Sequence, residues 1–251
     1  MFVDNPFALL SHFVSPLLMQ VYLVLMILSV AGGTWLDTYH KGSARYFARR
    51  RVKAKAAAKR RPGVMEMALL AAATVGEALV SGEFGKGKRR LSHLLMMYGF
   101  LLNMATTVVM VFGYARDAAT PILLPALWDL GALMLLGGGL WFFLALRVNV
   151  AFDGASPYHM GRADLFIGSL IASAGFALLW HLVAALSGNA AANLLFFAFY
   201  LFFTTVLFGS VFWSKFAHMF YKPAVALQRR IEEANGSSDL PSLVPTRGGR
   251  S

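Results

Sequence analysis

The residues from His93 to Tyr114, HLLMMYGFLLNMATTVVMVFGY, are almost entirely apolar and include no Asp, Glu, Lys or Arg. A basic segment, KGKRR at residues 86–90, comes just before them. An α-helix needs about 20 mostly apolar residues to cross the hydrocarbon core of a bilayer. The stretch therefore predicts a transmembrane helix with a positively charged end.

Four more stretches have the length and composition of membrane spans: Val14–Trp35, Pro121–Leu146, Asp164–Leu186 and Ala190–Tyr221. The composition of the 251-residue chain agrees, because 58% of its residues are hydrophobic and only 14% are charged. In a soluble domain about 25% of residues are charged. We expect an all-α integral membrane bundle of five transmembrane helices.

The Ala-rich segment Val64–Val80 is apolar too, but it contains Glu66 and Glu77. Each of these carboxylates would cost roughly a few kcal/mol at the bilayer centre. We interpret the segment as an amphipathic helix, on the membrane surface or against a partner, rather than as a sixth span.

The basic residues predict the orientation. With five spans, Arg116 is the only one of the 23 Lys and Arg residues that falls on the opposite side from the others. The positive-inside rule then places the N-terminus outside and the C-terminus in the cytoplasm, and we expect a multi-pass protein of the bacterial inner membrane.

The predicted spans divide the chain into four parts: a first span (1–40), a basic cytoplasmic loop with the amphipathic helix (41–91), a four-helix membrane region (92–222) and a partly disordered cytoplasmic tail (223–251).

Most of the basic residues lie in the loop at 41–91, and two interpretations of that loop remain open. It could attract anionic lipid, or it could dock an acidic soluble partner. No nucleic-acid-binding motif accompanies the charge, so we expect no nucleic-acid partner.

The chain has no Cys, which excludes disulfides, thiolate-held clusters and thioether attachment of haem.

Two histidines are candidates to hold a cofactor. His93 opens the second span and His218 closes the fifth, and since these spans run in opposite directions both are expected at the cytoplasmic depth. Imidazoles from two helices commonly hold a six-coordinate haem b in a bundle, and Gly99 would let the macrocycle approach the backbone. Alternatively, each histidine simply extends to the interface, and His40 competes at the same depth. Cations that would stabilise haem propionates flank the pair at Arg89, Arg90, Lys215 and Lys222.

A second polar pair lies in the outer half of the predicted bundle. Asp129 is in the third span and His181 is in the fourth, so the two side chains could touch if these helices are neighbours. A carboxylate–imidazole pair in an apolar setting can exchange protons, as quinone reduction or quinol oxidation requires. A structural hydrogen bond between helices is the alternative interpretation.

Two segments resemble a known family of membrane cytochromes b. Residues 90–100, RLSHLLMMYGF, are similar to the start of the second span of the nitrate reductase gamma subunit family, and residues 214–223, SKFAHMFYKP, resemble the end of its last span. The family includes the membrane subunits of heterodisulfide reductase and of related sulfur-metabolism complexes. The resemblance covers about residues 90–223. It implies five spans, haem b between spans two and five, and electron transfer between the quinone pool and a cytoplasmic Fe–S or flavin partner.

The chain departs from the two-haem gamma subunit at two positions. Asn103 and Tyr200 stand where that subunit has the ligands of its outer haem, so the resemblance implies one haem, held by His93 and His218. Residues 34–47, TWLDTYHKGSARYF, look like the membrane anchor of dissimilatory adenylylsulfate reductase. That likeness implies a partner with flavin and Fe–S clusters that oxidises sulfite with AMP.

These observations favour an electron-transfer subunit over an enzyme acting alone. The chain would be a haem-b membrane anchor linking a cytoplasmic Fe–S/flavin oxidoreductase to the quinone pool. The alternative is a membrane anchor or assembly protein without a cofactor, which would need the basic loop but not the histidine pair. A small transporter is disfavoured, because the spans have few polar midplane residues and do not divide into two equal repeats.

Overall fold

The computed structural model describes residues 4–40, 43–81, 87–116, 119–147, 164–187, 189–211 and 218–238, without the side chains of residues 43, 44 and 218–221. The regular elements in these ranges are all helical. In chain order they are α1 (Pro6–Leu10), α2 (Pro16–His40), α3 (Ser43–Ala56), α4 (Val64–Leu79), α5 (Gly87–Gly113), α6 (Leu123–Trp141) with a π-helical turn (Phe142–Leu146), α7 (Asp164–Leu186), α8 (Ala190–Gly209) and α9 (His218–Asn235).

Five helices in the described part of the chain are long and apolar enough to cross a membrane. They are α2, α5, α6 together with its π-helical turn, α7 and α8. The predicted all-α fold with five spans is therefore confirmed, and the chain is a multi-pass membrane protein. The segment predicted as an amphipathic helix forms α4, whose 16 residues are not among these spans.

The last span ends earlier than its predicted end at Tyr221. Helix α8 stops at Gly209, and the next residue, Ser210, donates its backbone N–H to the carbonyl of Val206 to close the final turn. Glycine and serine both favour the end of a helix over its interior. Helix α9 begins at His218. Residues 212–217 lie outside the described residues, so the position of His218 relative to the end of this span stays a prediction.

The chain forms two compact units. The first, called here the membrane unit, comprises Met1–Thr34 and Phe84–Phe216, and the second, called the basic unit, comprises Trp35–Glu83 and Ala217–Ser251. Helices α1 and α5 to α8 belong to the membrane unit, and α3, α4 and α9 belong to the basic unit. Helix α2 begins in the membrane unit and ends in the basic unit.

Within the membrane unit, α5 and α6 approach closely along a row of glycines. A Cβ atom added to Gly99 would lie 2.8 Å from the carbonyl oxygen of Gly131, and one added to Gly138 would lie 2.9 Å from the Cβ of Leu95. The hydroxyl of Ser92 donates to the carbonyl of Gly138 at 2.9 Å. Small residues and interhelical hydrogen bonds hold membrane helices together, since lipid supplies no hydrophobic drive for association.

This packing corrects the role predicted for Gly99. The space beside Gly99 is filled by the backbone of α6, at Gly131 and Leu135, so no macrocycle can approach there. The sequence could not show this, because the direction that a helix face points depends on which helix packs against it. Two more glycines of α6 are closely packed: Gly138 against α5, and Gly139 against Ile171 of α7.

In the basic unit, α9 packs against α3 and α4, and ion pairs join the helices. Arg50 of α3 donates to both carboxylate oxygens of Glu232 of α9, at 3.1 and 2.7 Å, and the Glu232 side chain is 3% exposed. Arg230 of α9 pairs with Glu77 of α4. Glu77, one of the two carboxylates that argued against a sixth span, therefore forms an ion pair between α4 and α9 within this unit.

Candidate functional site

His93 lies on the interior side of α5, as residue spacing along the helix shows. His93, Phe100 and Met104 are seven and eleven residues apart and so share one helix face. Phe100 contacts Phe208 of α8 with ring centroids 6.1 Å apart, and Phe100 and Met104 line a cavity inside the membrane unit. His93 is half-buried and lies about 10 Å along the axis from Phe100.

The basic side chains next to His93 are at the surface. Arg89 and Arg90 are both exposed, and Arg89 donates to the carbonyl of Leu146 at 3.2 Å. That bond joins the beginning of α5 to the end of the third span. Lys222, on α9, is also exposed.

The other half of the predicted haem site is not described by the structure. Lys215 and the side chain of His218 lie outside the described residues, so the pairing of His93 with His218 remains a prediction from sequence. The described half fits a haem in its chemistry. An imidazole nitrogen is a suitable axial ligand, it shares an interior helix face with Phe100, and Arg89 and Arg90 are exposed one turn away for propionates.

The two positions that the resemblance assigns to an outer haem are close together. Asn103 of α5 and Tyr200 of α8 both line the interior cavity, whose volume is about 40 Å³. The Asn103 amide donates to the carbonyl of Trp128 at 3.1 Å. Tyr200 lies against Trp180, with ring centroids 5.7 Å apart and an angle of 15° between the planes. Side chains fill this region and leave room for only a few water molecules.

The predicted contact between Asp129 and His181 is confirmed. Asp129 Oδ1 lies 2.8 Å from His181 Nδ1, and the His181 side chain is fully buried. The other ring nitrogen, Nε2, lies 3.0 Å from the backbone carbonyl of Asp4. Asp129 Oδ2 is buried without a hydrogen-bond partner among the described residues.

The partners of the ring nitrogens bear on the tautomer of His181. A carbonyl oxygen only accepts hydrogen bonds, so the contact with Asp4 is made by an Nε2 that carries a hydrogen. Nδ1 lies within hydrogen-bonding distance of Asp129 Oδ1, so the carboxyl and the imidazole have the geometry for proton transfer between them.

The N-terminal segment that covers this pair was missed by sequence reasoning. Asn5 caps α1 by accepting a hydrogen bond from the backbone of Phe7, and its amide donates to the carbonyl of Tyr114 at 3.0 Å. Phe7 packs edge-on against Trp128 and Trp180, with ring centroids 5.8 and 5.2 Å away. The signal was present as Asn5-Pro6, because Asn is a preferred N-cap and Pro is favoured at the first helical position.

The basic unit exposes five cations on α3. Hydrogen bonding to Glu232 raises the pKa of Arg50, and the exposed Arg60 pairs with Glu66 at 2.5 Å. Those two arginines belong to the internal ion pairs of the unit. The cations of α3 that are exposed are Arg45, Arg49, Arg51, Lys53 and Lys55.

The fold defines the class of this protein as an α-helical membrane protein with several spans, a buried carboxylate–imidazole pair and a separate basic unit. Neither a family model, nor a curated protein, nor a solved structure matches the chain.

Proposed function

We propose that the chain is the haem-b membrane anchor and electron-transfer subunit of a cytoplasmic Fe–S/flavin oxidoreductase, linking it to the quinone pool of the bacterial inner membrane. The observation that carries the proposal is the position of His93, half-buried on the interior face of α5 beside exposed arginines. The resemblance of the segments around His93 and His218 to membrane cytochromes b supports the same function.

The residues of the chain would have distinct roles. His93 and His218 would be the axial ligands of one haem, and Arg89, Arg90, Lys215 and Lys222 would stabilise its propionates. Haem b, when bound, supplies a one-electron carrier. Positive charge beside it favours the reduced form and so raises the reduction potential.

The interior near Asn103 and Tyr200 supports a single haem. The rings of Trp128 and Trp180 stand within 6.3 and 5.7 Å of the Tyr200 ring, so aromatic side chains occupy the space beside this position. Asp129 and His181 are the residues that we propose exchange a proton with quinone or quinol, since they form a buried carboxylate–imidazole pair in an apolar part of the bundle.

The proposed partner is a cytoplasmic oxidoreductase with flavin and Fe–S clusters, and adenylylsulfate reductase is the specific candidate. It would dock on the basic loop, where α3 exposes five cations. Positive patches attract acidic partners and speed their association. The division of labour suits a chain without Cys, which cannot hold a thiolate-ligated cluster itself.

The experiment that tests the haem assignment compares four single variants. His93→Ala and His218→Ala should each abolish haem binding in the purified protein, as measured by its visible spectrum and haem content. His12→Ala and His40→Ala are the matched controls and should keep the wild-type haem content. Loss of haem with His40→Ala but not with His93→Ala would transfer the ligand role to His40. Colourless wild-type protein, made with adequate haem supply, would favour an anchor without a cofactor.

A further inference from the structure

Helix α4 presents an apolar face that the basic unit does not cover. Val64, Met65, Leu69 and Val75 are 89%, 74%, 64% and 56% exposed. Every exposed residue of this helix is apolar or glycine. A helix on the surface of a soluble protein shows the opposite arrangement, with its polar face outward.

The polar side chains of α4 are buried or paired with arginines, and those of Glu66 and Glu77 are 34% and 43% exposed. The hydroxyl of Thr74 donates to the carbonyl of Leu70 at 2.8 Å, and Thr74 is buried. The two carboxylates meet arginines: Glu66 accepts hydrogen bonds from Arg60 at 2.5 and 2.8 Å, and Glu77 pairs with Arg230. The exposed face is therefore apolar and lacks uncompensated negative charge.

The surroundings of this face identify what covers it. The same unit exposes the cations of α3, which would be attracted to anionic lipid headgroups. It also contains the end of α2, where Trp35 and Tyr39 are 73% and 60% exposed. Tryptophan and tyrosine are enriched at the level of the headgroups, and α2 is one of the membrane spans. An acidic soluble protein would match the cations but not an apolar face about four turns long.

We propose that α4 lies in the plane of the membrane, with its exposed face among the acyl chains of an anionic leaflet and the cations of α3 on the headgroups. Amphipathic helices with basic neighbours bind membranes in this way. The proposal does not depend on haem, and it goes beyond the electron-transfer function by assigning a lipid-binding role to part of the loop at 41–91. Because the cations of α3 then lie on headgroups, a soluble partner that docks on the loop at 41–91 would compete with lipid for them.

The absence of Cys from the sequence makes a direct test simple. A nitroxide is attached to Leu69→Cys, on the exposed face of α4, and, for comparison, to Lys53→Cys on α3, which the proposal places at the level of the headgroups. The full-length protein is placed in nanodiscs of phosphatidylcholine mixed with phosphatidylglycerol. Collision rates with oxygen, which concentrates in lipid, and with a water-soluble nickel chelate are then measured by electron paramagnetic resonance.

The proposal predicts that the label at Leu69 collides severalfold more with oxygen and severalfold less with the nickel chelate than the label at Lys53. In nanodiscs of phosphatidylcholine alone, the difference should shrink. Equal exposure of both labels to the nickel chelate in the anionic nanodiscs would overturn the proposal. A label at Leu69 shielded from both reagents would overturn it too, since a protein surface, such as a second copy of the chain, would then cover α4. A difference that is the same in both lipids would refute the role given to the cations.

Discussion

Replacing Gly131 by alanine should separate the two best-packed helices of the membrane unit. The added Cβ would lie 2.7 Å from the backbone nitrogen of Asn103 and 2.9 Å from the carbonyl oxygen of Gly99. Both neighbours are backbone atoms, so no side chain can rotate away. Ordinary contact begins at 3.4 Å, so α5 and α6 must move apart by about 0.7 Å. Overpacking of this kind costs about 1–3 kcal/mol.

Gly137→Ala is the matched control on the same helix, because a Cβ there meets nothing within 4 Å. Alanine also favours the helix over glycine by up to about 1 kcal/mol, so the control should be neutral or slightly stabilised. The free energy of unfolding is measured for both variants by titrating dodecyl sulfate into mixed micelles and following helicity by circular dichroism. If the two variants unfold at the same dodecyl sulfate fraction, the close approach of α5 to α6 is refuted.

Two further predictions follow from ionisable groups. His181→Ala should destabilise the protein by about 3–5 kcal/mol, because it leaves the buried carboxyl group of Asp129 unpaired. Asp129→Asn keeps a hydrogen-bonding group beside His181 and should cost less. Equal losses in the dodecyl sulfate titration would contradict the contact between Asp129 and His181. Hydrogen bonding to Arg60 holds the pKa of Glu66 below its ordinary value of 4.5. The ion pair therefore stabilises the folded protein above pH 4.5, and this stabilisation is lost as the pH falls through the lowered pKa. Glu66→Gln should therefore unfold with a weaker pH dependence in that acidic range, and an unchanged pH profile would show that the Arg60 ion pair does not support the fold.

The sequence was sufficient for the number of spans and for one polar contact. Span number follows from the length of apolar runs, since lipid imposes a fixed thickness. The contact between Asp129 and His181 was predictable because an ionisable side chain in an apolar span needs a partner. The two glutamates of α4 were informative for the same reason, and both are found paired with arginines.

Other features could not be read from the sequence, because they depend on the direction in which helix faces point. Gly99 was predicted to face a cofactor, but it faces α6. The backbone carbonyl of Asp4 contacts His181. Any residue at that position would supply a carbonyl, so no side-chain pattern predicts the contact. The end of the fifth span at Gly209 was missed because the sequence stays apolar beyond it, through Val211 and Phe212.

Haem binding by this chain is measured most directly by a dithionite-reduced minus oxidised visible spectrum of the purified protein, with haem quantified as the pyridine haemochrome. We expect a b-type spectrum with one haem per chain. Two haems per chain would contradict the assignment of Asn103 and Tyr200 as non-ligands. Protein without haem, from cells supplied with it, would contradict the electron-transfer function itself.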